Sequence, residues 1–166
     1  MRVFFGCFLT PESAVVLTER LPSVAGMRRV PAANLHVTLH FLGSVAEERL
    51  AEVRALADFL PSEGLSVRVS GLTGFPKPSR ARMLVALLED PGDRLRGWHG
   101  VLAARWPTNE TRSFNPHATV ARSRRPLELP ALPELAGLDL ELEPPGAYVS
   151  ETLPEGARYR PLAAAP

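Results

Sequence analysis

An antiparallel α+β fold is what this sequence predicts, on three observations. Strand-like and helix-like segments interleave along 166 residues. Several consecutive strand candidates have no helix between them, and parallel neighbours would need such a crossover, so a doubly wound parallel sheet is disfavoured. The third observation is a repeat: "NLHVTL" begins at Asn34 and "NPHATV" begins at Asn115. One motif per half of the chain suggests an old duplication, in which two similar lobes bring their motif strands together about a pseudo-two-fold axis. A chain of this length suits a single domain, 1–166, made of two such lobes, and buries enough apolar surface to fold without a disulfide or metal staple.

Each element follows from local pattern. Val3 to Leu9 is a short apolar run that suits a buried strand, and Thr10-Pro11-Glu12 supplies an N-cap, a first-turn proline and an early acid for a helix ending near Leu21. "RRVPAANLHVTLHFLG" gives a brief strand, a turn at Pro31, and a second strand that carries the first motif and stops at Gly43. Ser44 and Glu47 have capping-box spacing, and Val45, Leu50, Val53, Leu56, Ala57 and Leu60 keep a helical period as far as Pro61. "LSVRVSGLTGF" and "RMLVALLE" flank the turn "PKPSR" as a hairpin. Asp93 to Trp106 sets Leu95, Trp98, Val101 and Leu102 at helical spacings before Pro107. "HATVA" is β-prone and carries the second motif. From Arg125 to Pro145 the chain is rich in proline and leucine, with "LDLELE" as a candidate edge strand, and "AYVSETL" and "ARYRPL" form a closing hairpin around Pro154-Glu155-Gly156.

Composition narrows the function classes. Hydrophobic residues make up 45% and charged residues 22%, which is globular and not disordered. A formal net charge of +1 provides no long-range field toward nucleic acid or an acidic membrane, so any polyanion must be gripped locally. Lys77 is the only lysine among nineteen cationic side chains. A GC-rich coding bias accounts for that skew, so only clustered arginines bear on function. Cys7, the single cysteine, excludes an internal disulfide and a cysteine metal cluster, and reads as a buried small apolar residue. The amino terminus has only about seven apolar positions before Pro11 and no small-residue cleavage site, and no run approaches the ~18 apolar residues that span a bilayer. A cytoplasmic monomer without membrane attachment is expected.

The motif reads His36-Val37-Thr38-Leu39 and His117-Ala118-Thr119-Val120. On a strand, side chains at i and i+2 share a face, so each copy offers an imidazole and a hydroxyl pointing the same way. With eight threonines in the chain, two of four histidines followed by threonine at this spacing arise by chance on the order of once in a hundred sequences. Histidine serves as either acid or base near neutrality. Displacement at phosphorus needs a base on the attacking oxygen and an acid on the leaving oxygen, each ~3 Å away. Thr38 and Thr119 would donate to the non-bridging oxygens from the flanks. A lone strand histidine is more often structural; the repetition favours function. A metal site is the weaker functional reading, because two histidines without nearby acids fall short of the three or four ligands usual for zinc.

With "FLG" after the first motif and "AR" after the second, the chain resembles the 2H phosphoesterase superfamily, and within it the RNA 2',3'-cyclic phosphodiesterases once described as 2'-5' RNA ligases. The resemblance extends from "RVFFGCFL" to "YVSETLPEGARYRPLA". It implies a bilobal fold of two pseudo-symmetric antiparallel sheets facing across a central cleft, with helices on the outer faces. It also implies cofactor-free, metal-independent hydrolysis of a 2',3'-cyclic phosphate, on an RNA end or a small nucleotide, to a 2'-phosphate. His36 would then be the general acid and His117 the base, with Thr38 and Thr119 on the phosphate. Phe41 and Arg122, five residues after each histidine, would bind the base and phosphate. Strand parity opposes that last assignment unless a bulge intervenes, since five residues along a regular strand reach the other face. Arg124 and Arg125 read equally as part of an anion grip or as a solvated loop patch. His40 is expected near the cleft rim and His99 in a structural role. A non-catalytic module that binds RNA ends, and a ligase joining 2'-phosphate to 5'-hydroxyl ends, are the competing functions.

Overall fold

The computed structural model describes residues 1–163, so residues 164–166 of the expected domain lie outside the described residues. A continuous buried run marks its first strand: β1 (Arg2–Phe8) turns Val3, Phe5 and Cys7 into the core at 0% exposure, and Phe4 on its other face is covered as well, at 3%. Fully burying side chains of this kind contributes about 1.5–3 kcal/mol each. Thr10 then caps α1 (Pro11–Arg20) by accepting from the Ser13 amide at 3.3 Å, and Ala14 and Leu17 face inward.

The elements that follow are β2 (Arg28–Arg29), β3 (His36–Ser44), α2 (Leu50–Ala57), β4 (Leu65–Phe75), β5 (Ala81–Glu89), α3 (Arg94–Arg105), β6 (His117–Leu127), β7 (Asp139–Leu142), β8 (Gly146–Leu153) and β9 (Gly156–Pro161). Every strand pairing is antiparallel, and the sheet order is β7-β4-β5-β6-β3-β1-β8-β9, with β2 paired to β6. One half is built from β4 to β7. The other takes β1 and β3 from the start of the chain and β8 and β9 from its end. The halves join at one registered pair, Val37 opposite Ala118, so the two sheets are one curled surface. A bridge between Leu9 and Leu142, with Glu143 N–H donating to the Phe8 carbonyl at 2.8 Å, draws β7 back toward the end of β1. The described residues contain no helix long and apolar enough to cross a membrane.

The capping box expected at Ser44 and Glu47 does not form. Ser44 is still paired with Arg2, and the Val45 amide donates to the Met1 carbonyl at 2.7 Å, so this backbone belongs to the sheet. The helix begins instead through a 3-10 turn at Glu47–Arg49, and α2 ends at Ala57, short of Pro61. The "LDLELE" segment supplies β7 at the sheet edge, and the closing hairpin is β8–β9.

Candidate active site

His36 opens β3 and His117 opens β6, and each is held in the same way by its own lead-in. His36 Nδ1 lies 2.7 Å from the Asn34 carbonyl, and His117 Nδ1 lies 2.6 Å from the Asn115 carbonyl. A carbonyl only accepts, so in the neutral ring Nδ1 carries the proton and Nε2 presents its lone pair. The repeated asparagines therefore serve the histidines through the main chain. Asn34 additionally donates its side-chain amide to the Ala157 carbonyl at 2.9 Å, which ties the first motif to β9. Between the motifs, Val37 and Ala118 are both fully buried. Extending their antiparallel register by one residue either way sets His36 beside Thr119, and Thr38 beside His117.

Two bulges resolve the parity of Phe41 and Arg122. Phe5 pairs with His40 and Gly6 with Thr38, so Leu39 is the extra residue on β3. Leu84 pairs with Ala121 and Val85 with Thr119, so Val120 is the extra residue on β6. Each bulge shifts the alternation by one, which returns Phe41 to the face of His36 and Thr38, and Arg122 to the face of His117 and Thr119. Phe41 is 43% exposed there, and Arg122 contacts the Met83 sulfur at 3.3 Å. The same shift takes His40 away from the rim where it was expected. It is 6% exposed, and its Nε2 donates to the Trp106 carbonyl at 2.8 Å at the end of α3. His99 of α3 donates from Nδ1 to the Leu39 carbonyl at 2.7 Å, at the bulged residue itself. The Val120 carbonyl receives the Val30 amide at 2.9 Å in the corresponding place. Arg122, Arg124 and Arg125 lie on β6, not in a loop.

The half-sites are alike in backbone and unlike in surroundings. His36 sits among Phe4, Phe8 and Tyr159, with ring centroids 5.1, 4.9 and 4.9 Å away, and Tyr148 stacks on Phe4 behind them. His117 has one aromatic neighbour, Phe75, at 4.9 Å. Burial pushes the His36 pKa down to about 4, helped by the Arg122 and His117 charges and opposed by the hydrogen bond to Asn34. His117 is lowered too, by burial first and then by Arg122 and Arg112, against its bond to Asn115. Both imidazoles are thus neutral in the free protein at neutral pH. Phe4, Phe8 and the two tyrosines were not singled out from the sequence. A signal was available, because Phe4 and Phe8 share one face of β1, and Tyr148 and Tyr159 are the chain's only tyrosines.

Among the described residues no three His, Cys, Asp or Glu side chains gather as a metal's ligands would. The concavities along β4, lined by Ser66, Arg68, Glu89 and Asp139 in one case and by Leu65, Pro91 and Arg94 in the other, share no residue with the histidine face. Cys7 is buried, and its pKa is pushed up to about 12 by that burial, so it is no nucleophile.

This pairing of two H-x-T strands coincides with a match, over residues 10–152, to the 2'-5' RNA ligase superfamily. The chain belongs to that superfamily. Similar members include a protein named RNA 2',3'-cyclic phosphodiesterase from Thermus thermophilus, 31% identical, with 98% of this chain and 88% of the relative aligned. One of the same name from Archaeoglobus fulgidus is 28% identical over 69% of this chain and 66% of its own length. The crystal structure of TT0787 of Thermus thermophilus superposes with a TM-score of 0.79 at 29% identity, covering 98% of this chain and 96% of that one. The structure of E. coli LigT complexed with 3'-AMP has the same fold, with a TM-score of 0.79 at 24% identity, covering 98% and 95%. The superfamily fold is therefore the bilobal α+β arrangement expected from the sequence, with its two sheets fused at the motif strands.

Proposed function

We propose that this chain hydrolyses 2',3'-cyclic phosphates on RNA ends or nucleotides to 2'-phosphates, using His36 and His117 as an acid-base pair. The observation that carries the reading is the Val37–Ala118 pair, which brings both motifs together while each Nδ1 is occupied by a carbonyl and each Nε2 is left for substrate. The names of the superfamily relatives support the substrate class.

In the proposed step, His117 Nε2 takes a proton from water as the water oxygen bonds to phosphorus. The bond from phosphorus to the 3'-oxygen breaks, and His36 Nε2–H protonates that oxygen. Thr38, Thr119 and Arg122 donate to the phosphate oxygens as their charge grows, and Phe41 packs against the base. The resemblance assigns the acid role to His36, and its surroundings agree in one respect: a low pKa makes it a strong proton donor once charged. Binding an anionic phosphate raises the pKa of both rings, so that one of them takes from solvent the proton that the free protein lacks. No cofactor or metal enters this scheme. We further propose that the chain works as one monomeric domain of two intertwined lobes.

Incubation with RNA bearing a 2',3'-cyclic end tests the reading. A terminal 2'-phosphate, formed at an undiminished rate in excess chelator, is the expected product. A cyclic end bound but unchanged would identify a binding module, and a new 2'-5' bond would identify the ligase.

A further inference from the structure

Beside the His117 half-site, the two-residue strand β2 pairs only with β6, and its register sets Arg28 directly opposite Arg122. Cross-strand partners leave a sheet on the same face, so Arg28 stands on the face that carries His117, Thr119 and Arg122. Its neighbour Arg29 is employed otherwise, donating to the Leu21 carbonyl at 2.7 Å and the Thr18 carbonyl at 3.4 Å where α1 ends. Arg28 has no such work. It is exposed, and neither it nor Arg122 enters an ion pair among the described residues, although Arg49, Arg68, Arg96, Arg112 and Arg160 all reach carboxylates.

Two like charges held directly opposite each other disfavour the pairing that brings them together. An anion between them removes the repulsion, and two planar forks on one face suit phosphate oxygens. The cationic strip continues with Arg124, two residues along β6, exposed and without an ion pair among the described residues. With a net charge of only +1, three clustered unpaired arginines are a local feature and not a consequence of overall charge.

We propose that Arg28 forms a second phosphate subsite with Arg122, holding the phosphodiester that precedes the cyclic end, with Arg124 continuing the track. The occupant is a single RNA strand. This rests on the cyclic-phosphate reading of the histidine face, and gives that site a preference for oligonucleotides over mononucleotides.

The test compares kcat/KM for a short RNA oligonucleotide ending in a 2',3'-cyclic phosphate with that for a nucleoside 2',3'-cyclic phosphate, across a salt series. Arg28→Gln should cut the oligonucleotide preference about tenfold, the size of one lost charge-assisted contact. It should also reduce the slope of log(kcat/KM) against log salt on the oligonucleotide by about one. Arg28→Lys should keep the slope and regain only part of the preference, because it restores the charge without the fork. Arg68→Gln, which removes the same charge from β4, serves as the control. Wild-type preference and slope in Arg28→Gln, or an equal effect from Arg68→Gln, would overturn the subsite. Wild-type protein inert toward both substrates would overturn instead the reading on which it rests.

Discussion

His36 and His117 share a backbone solution and differ in what surrounds them, and that difference is measurable. An NMR titration should place the His36 transition near 4, well below the usual imidazole value. Tyr159→Ala, which opens the aromatic wall, should move that transition upward; an unchanged transition would show that burial is not its cause. The same shifts set the pH dependence of catalysis. In the proposed mechanism the working form would carry one proton on the pair and so exist between the two macroscopic pKa values, and both imidazoles are lowered from 6.5. The bell of kcat/KM for a cyclic nucleotide should therefore peak on the acid side of 6.5, whereas kcat, which reports the complex, should peak at higher pH. Coincident optima at alkaline pH would count against a histidine pair. At this scale the sequence reveals the four motif residues, because repetition is a local signal. It does not reveal the aromatic wall, because β1, β8 and β9 meet His36 only in the folded sheet.

Among the elements, the bulges at Leu39 and Val120 decide which side chains reach the site. Parity alone shows that a bulge is required if Phe41 and Arg122 are to join the motif faces, but not that His99 and Val30 donate to the carbonyls of the bulged residues. His99→Leu removes the donor that His99 offers the buried Leu39 carbonyl, at an expected cost of about 1–3 kcal/mol and a Tm drop of roughly 2–10 °C. His99→Gln, which retains a donor, should recover part of it. A Tm unchanged in His99→Leu would mean that the bond to Leu39 contributes nothing. Gly6 is the other element-scale constraint, since a Cβ there would lie 2.7 Å from the Val37 carbonyl between His36 and Thr38. Gly6→Ala should lower both stability and turnover. The capping box at Ser44 misled for a related reason: the local spacing is correct, but strand pairing to Arg2 claims that residue first.

At the scale of the whole molecule, His36, His40 and His117 all have lowered pKa values. Between about 4 and 6.5 the unfolded chain binds more protons than the folded one, so the stability present above 6.5 is lost as pH falls through that window. Thermal melts should show Tm dropping between pH 7 and 5, with a shallower drop in His36→Phe; a Tm that rises on acidification would contradict the burial assigned to these rings. The antiparallel class and nearly every strand were legible, because alternation and turn residues are local. The fusion of the two halves through the single pair Val37–Ala118 was not, because long-range pairing has no local signature. That pair underlies the central claim that two motifs make one site. The most direct test is the rate at which wild type, His36→Ala and His117→Ala open a 2',3'-cyclic RNA end, with all three melting cooperatively. Each single variant should lose ~10²-fold or more, and near wild-type turnover in either one would contradict the account.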